Sequence, residues 1–111
     1  MKHKAHFIKV LLSNKGIIVK IDCRLRDSVC DPLEVIGKSW FDTFIDTRDK
    51  ETVLKVFHEL FDNKTEEWKT FGNDIKCPNG GHRRIDFTNE IILIHGQKYM
   101  SSYGIEHMDN Y

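Results

Sequence analysis

The chain has 111 residues, 40% of them hydrophobic and 31% charged, with 17 Lys and Arg against 17 Asp and Glu. That size and balance suit one domain with a real core and exclude a wholly disordered chain. A formal charge of zero supplies no global field for nucleic acid or an anionic membrane surface, so neither is an expected partner. Cys23, Cys30 and Cys77 cannot pair completely, and the apolar stretch "FIKVLL" is short and carries a lysine. No signal peptide or membrane span is read there; reduced thiols and a cytoplasmic setting are expected.

In chain order, "HFIKVLL" and "GIIVKID" are β-branched and aliphatic runs joined by Ser13, Asn14, Lys15 and Gly16. Glycine supplies the positive φ of a tight turn, so the pair predicts an opening hairpin. From Cys23 to Asp31 the chain is polar, and Leu25 and Val29 suffice for one short helical turn. Pro32 restarts it, and "PLEVIG" predicts a single turn ended by Gly37. "TRDKETVLKVFHELFDN" predicts the clearest helix: Thr47 or Asp46 can cap it, and Val53, Val56, Phe57, Leu60 and Phe61 form one apolar stripe.

Beyond Asn63 the period changes to two. Phe71, Asn73, Ile75 and Cys77 alternate with Gly72, Asp74 and Lys76, which is strand spacing. A second strand from about Arg83 to Ile94 puts Ile85, Phe87, Asn89 and Ile91 on one face, and "QKYMSSYGIE" makes a third after a His95-Gly96 turn. Hairpins at both ends with helices between them predict an α+β domain with a five-stranded sheet.

"CPNGGHRR" (77–84) poses a choice between metal knuckle, phosphate grip and turn. Zinc needs four ligands, and Cys77 with His82 supplies two, so no metal is expected. Glycine loops cradle phosphate at a helix N-terminus, whereas this one leads into a strand. Asn79-Gly80 between alternating runs is a hairpin signal, and Pro78 suits a strand end. Arg83 and Arg84 fall on opposite faces and do not form a patch.

Within this order of elements, two segments carry a resemblance. "VIGKSWFDTFID" (35–46) resembles the stretch before the long helix of PAS sensor domains, and "FGNDIKCPNGGHRRIDFTNEIIL" (71–93) resembles their paired strands. Phe71 and Asn73, then Arg83, Phe87 and Asn89, match the family's recurring aromatic, asparagine and arginine positions. The resemblance covers about residues 6 to 108. It implies an antiparallel sheet of order 2-1-5-4-3, with short helices and one longer helix closing a pocket over one face. It also implies a domain that senses or dimerises for an attached effector. Asp22 stands where such domains often have asparagine, the first helical stretch lacks the usual Gly-Tyr pair, and "GIEHM" replaces an Asp-Ile-Thr motif, with Glu106 in the acid's place.

"DCRLR" (22–26) is similar to the cysteine motif of flavin photosensors, but it follows the second strand. The segment in the motif's place is "GKSWFDTF", with Trp40 where the reactive cysteine would lie, so flavin is not expected. Haem-binding members use a histidine on the long helix; His58 is on it, but at the edge of the apolar stripe, so haem is not expected either. Glu66 and Glu67 precede a strand, where neighbours face opposite ways, and no nucleophile and base are brought together. The candidate ligand-lining set is Trp40, Phe57, Phe71, Asn73, Phe87 and Asn89. An inward asparagine needs a partner, because an unpaired buried amide costs about 1–3 kcal/mol: a ligand, a backbone group or another asparagine.

The expected function is a sensing and dimerisation module, itself no enzyme, cut from a larger bacterial or archaeal signalling protein with Met1 and Tyr111 as the ends of the cut, with a free-standing domain as the alternative. The effector expected first is a histidine kinase, and second a diguanylate cyclase. Its partners are a small molecule, a second copy and that effector, with no direct membrane insertion. A rival is a small enzyme of the ketosteroid-isomerase or cyclase type, which needs a titratable Asp86 or His58 in an apolar pocket. Alternation places Asp86 on the outer face, against this rival. A third reading is a ligand-free dimerisation module joined through Ile92 and Ile94 on an exposed sheet face.

Overall fold

Residues 6–25, 31–62, 69–77 and 81–106 are described by the structure, a computed structural model. Val29, Glu66, Glu67, Pro78, Asn79, Gly80, His107 and Met108, on which several of those expectations fall, lie outside them. Five strands, β1 (Phe7–Leu12), β2 (Ile18–Arg24), β3 (Thr70–Lys76), β4 (His82–Ile94) and β5 (Gln97–Glu106), form one sheet. All pairs are antiparallel, in the order β2-β1-β5-β4-β3. This is the order the sequence resemblance implies.

Turn chemistry closes the hairpins. Gly16 has φ +76° and donates its N–H to the Ser13 carbonyl at 2.9 Å, and the ring of Phe41 lies where a side chain at Gly16 would stand. Between β4 and β5, His95 and Gly96 have φ of 51° and 80°, the two positive values of a two-residue turn whose twist matches its strands. At the base of the β3–β4 hairpin Cys77 N–H donates to the Gly81 carbonyl at 2.7 Å.

Strand β2 runs two residues past the predicted Asp22, because Cys23 and Arg24 stand opposite Ile8 and Phe7. A register shift between Leu11 and Leu12 marks a bulge, and so Ile18 and Ile21, three apart, both face inward. Ile17, read as strand from sequence, makes an isolated bridge with Ser39 instead.

The helices are α1 (Pro32–Val35), α2 (Trp40–Phe44) and α3 (Lys50–Phe61). Asp31 caps α1 by accepting the Leu33 N–H at 3.0 Å, and Ser39 Oγ caps α2 by accepting from Asp42 at 3.3 Å. Capping of the long helix differs from expectation. The chain first makes a 3-10 turn over Thr47–Asp49, neither Asp46 nor Asp49 caps through its side chain, and the Asp46 carboxylate faces His82. The predicted stripe holds: Val53, Val56, Phe57 and Leu60 are buried and Phe61 packs against them.

The core lies between these helices and the inner sheet face, where Ile8, Val10, Ile18, Ile75 and Ile85 are buried. Two surface contacts hold the helical layer: Lys50 Nζ of α3 donates to Asp42 of α2 at 2.7 Å, and His82 Nε2 at the start of β4 donates to Asp46 at 3.1 Å. Each contact holds its carboxyl below the ordinary range, through the Lys50 hydrogen bond at Asp42 and the His82 hydrogen bond at Asp46. A depressed folded pKa contributes stability above the unfolded value of about 3.9, lost as pH falls through the folded value. Asp46→Asn is therefore expected to flatten the fall in urea midpoint between pH 5 and pH 3. An unchanged slope would count against the His82 contact.

Candidate functional site

A cavity lies between α2, α3 and the inner face of β3, β4 and β5. Trp40, Phe57, Phe71, Asn73, Phe87 and Asn89 all line it. Alternation aims the sheet residues inward: Phe71 stands directly opposite Phe87, and Asn89 opposite Ser102. Trp40 comes from α2, stacked on Phe44 at 4.7 Å between ring centres and edge-on to Phe87 at 6.1 Å. Phe57 descends from α3 and meets Phe41 edge-on at 5.2 Å.

Two polar groups interrupt this apolar lining. Ser102 Oγ donates to Asn89 Oδ1 at 2.7 Å, fully inside, and Asn73 Nδ2 donates to the Asp74 carbonyl at 2.9 Å. A backbone group thus serves Asn73, as expected. Asn89 accepts from a serine, a partner outside the expected set. Removing that donor takes one hydrogen bond from a buried amide, so Ser102→Ala is expected to lower stability by about 0.5–1.5 kcal/mol. Urea denaturation checks this, and an unchanged midpoint would show the bond to be without weight.

Leu12, Phe41, Val53, Val56, Leu60, Met100 and Ser102 complete the lining. Of these, Val53, Val56 and Leu60 belong to the apolar stripe read from the sequence, and the period of two in "QKYMSSYGIE" puts Met100 and Ser102 on one face with Gly104 and Glu106. The cavity holds about 40 Å³, far below the roughly 300–1,000 Å³ of drug-sized pockets and enough for a few waters or a very small molecule.

At the far end of β5, a side chain at Gly104 would meet Ile85 and the Phe87 ring, so Phe87 rests on the β5 backbone. Two residues on, Glu106 is buried and faces Arg83 Nε at 3.3 Å. A wall of the cavity is thereby in contact with the terminal segment of the last strand.

Other candidates stand apart. His58 is exposed and does not line the cavity, and Cys23 is buried on β2 outside it. Neither residues nor space suit haem or flavin. Asp86 is exposed, and among the described residues no titratable side chain lines the cavity, whereas the isomerase rival requires one there. Cys77 is buried while His82 is exposed beside Asp46, and among the described residues no three of His, Cys, Asp and Glu group as metal ligands. Arg83 turns inward to Glu106 and Arg84 outward to Asp74 at 3.8 Å.

The outer sheet face carries a shallow groove of about 420 Å³ between β1, β2 and β5, edged by Lys9, Lys20 and Asp22 and floored by Leu11 and Tyr103. Tyr103, Ile105 and Ile94 are exposed on that face, with Ile92 half-buried. Among the described residues no helix is long and apolar enough to cross a membrane.

The sequence matches no protein-family model and no curated protein. Solved structures do match. The PAS domain of the Cronobacter turicensis RpfR quorum-sensing receptor, in complex with BDSF, has a TM-score of 0.72 at 19% identity, covering 97% of this chain and 100% of that one. The chain has the PAS fold. The PAS-B domain of Drosophila melanogaster Cycle with bound ethylene glycol gives 0.69 at 14% identity, covering 91% of this chain and 99% of that one. The PAS domain of an HTR-like protein from Haloarcula marismortui gives 0.67 at 17%, covering 91% and 81%. In this PAS fold the cavity lies where the sequence resemblance implies a pocket, between the long helix and the sheet.

Proposed function

We propose that this PAS domain is a sensory module that takes a very small, mainly apolar, uncharged molecule into the cavity and passes occupancy to the end of β5. The single observation that carries the reading is the Ser102–Asn89 pair, a hydrogen-bonding site inside an otherwise apolar lining. Ser102 commits its hydrogen to Asn89, and a hydroxyl oxygen retains acceptor capacity, which suits a ligand that donates. The RpfR domain in complex with BDSF and the Cycle domain with bound ethylene glycol support ligand uptake by this fold.

Output follows from packing. A ligand that shifts Phe87 presses on Gly104, next to the Arg83–Glu106 pair where the strand ends. The effector beyond is proposed to be a histidine kinase, with a diguanylate cyclase second, in a cytoplasmic signalling protein of which this chain is one module. Self-association through the outer sheet face, where Tyr103, Ile105 and Ile94 are exposed, is the second part of the proposal.

Native mass spectrometry of protein purified from its host tests both parts together. A fraction carrying a small added mass, in a dimer, is the expected spectrum. An unliganded monomer at every concentration would contradict it.

A further inference from the structure

A second, outer cleft of about 230 Å³ opens at the β3 edge of the sheet, beside the start of α3. Val53, Phe71 and Asn73 line both this cleft and the inner cavity. The three side chains are therefore a shared wall, and Phe71 is its aromatic member. β3 is an edge strand, with a neighbour only on the β4 side, and Phe71 itself is only half-buried.

The rim of the cleft is loosely held. Arg48 reaches Asp74 at 4.0 Å and Arg84 reaches it at 3.8 Å, beyond the 2.7–2.9 Å of a strong charge-assisted bond, and both arginines are more than half exposed. Two arginines against Asp49 and Asp74 leave the cleft without net charge. It offers a neutral chain no electrostatic obstacle and an anion no net attraction.

We propose that Phe71 is the specificity-determining residue for ligand length. Its ring divides the 40 Å³ interior from the 230 Å³ cleft, so the domain selects short neutral amphiphiles. The polar group of such a molecule sits at Ser102 and Asn89, and its chain stops at position 71. The inference rests on the cavity reading above. It adds that a smaller side chain here joins the two spaces and admits longer chains.

The test is a set of proton–nitrogen NMR titrations of wild type, Phe71→Ala and Phe71→Leu with straight-chain primary alcohols from ethanol to hexanol. Burying one more methylene raises affinity about fourfold. Phe71→Ala is expected to gain about that factor per carbon through hexanol, while wild type stops gaining after about three carbons. Phe71→Leu, the milder change, keeps the comparison open if the alanine variant does not fold, and its limit falls between the two. The same chain-length dependence in wild type and in whichever variants fold, with binding in each, would overturn the role of Phe71 and leave the cavity reading standing. Binding of no alcohol by any of the proteins would overturn both.

Discussion

Phe44→Ala is expected to lower stability by about 3–5 kcal/mol, the range for deleting a large aromatic from a core. Phe44 is 0% exposed and stacks on Trp40, and with Trp40 and Phe41 it is the buried face of α2. A five-residue helix has almost no stability of its own. Its position comes from those three rings, the Ser39 cap and the Asp42–Lys50 contact. Loss of this ring opens a cavity that the surrounding residues can only partly fill. Against a total of about 5–15 kcal/mol for a domain, that is a large share, equivalent to roughly 10–20 °C in Tm. Urea and thermal unfolding followed by circular dichroism would show it. A loss under about 1 kcal/mol would mean that α2 is held by something other than its buried rings.

Gly104→Val is the second large effect, and it reaches function as well as stability. Gly104 lies on the inner face of the central strand, with Phe87 opposite it in register. A Cβ there would meet Ile85 Cγ2 and stand 2.7 Å from Phe87 Cε1. Both neighbours are buried on β4, and Ile85 is fully so. Overpacking of this kind costs about 1–3 kcal/mol and occasionally more, and valine's two methyl groups put it at the upper end. The direction of relief matters: Phe87 can move only at the expense of the cavity it lines. The expected result is a folded but destabilised protein that has lost uptake of small alcohols. Wild-type stability with unchanged binding would show that the Phe87–Gly104 contact does not join the cavity to β5.

Most of the sheet was legible because its residues obey a period of two. Phe71, Phe87 and Asn89 were placed on one face from spacing alone, and hydrogen bonding across the strands sets them there. Gly16 and the His95-Gly96 pair were readable for the same kind of reason, since each satisfies a local φ requirement. Features that depend on more than one segment were hidden. The bulge that turns both Ile18 and Ile21 inward arises from how β2 meets β1. Asp46 reads as a cap, but a histidine 36 residues away takes its carboxylate. Ser102 drew no notice because a lone serine in a strand is unremarkable until Asn89 stands opposite it. The size of the cavity was out of reach altogether, as it is the remainder left after thirteen side chains have packed.

The most direct measurement is a proton–nitrogen NMR spectrum of the wild-type protein with and without saturating 1-propanol. Uptake at the proposed site predicts shifts at Asn73, Phe87, Asn89 and Ser102, carried on to Gly104, Ile105 and Glu106 at the end of β5. Shifts confined to Lys9, Lys20 and Tyr103 would place binding in the outer groove instead, and that result, or a spectrum that does not change, would contradict the cavity as a sensing site.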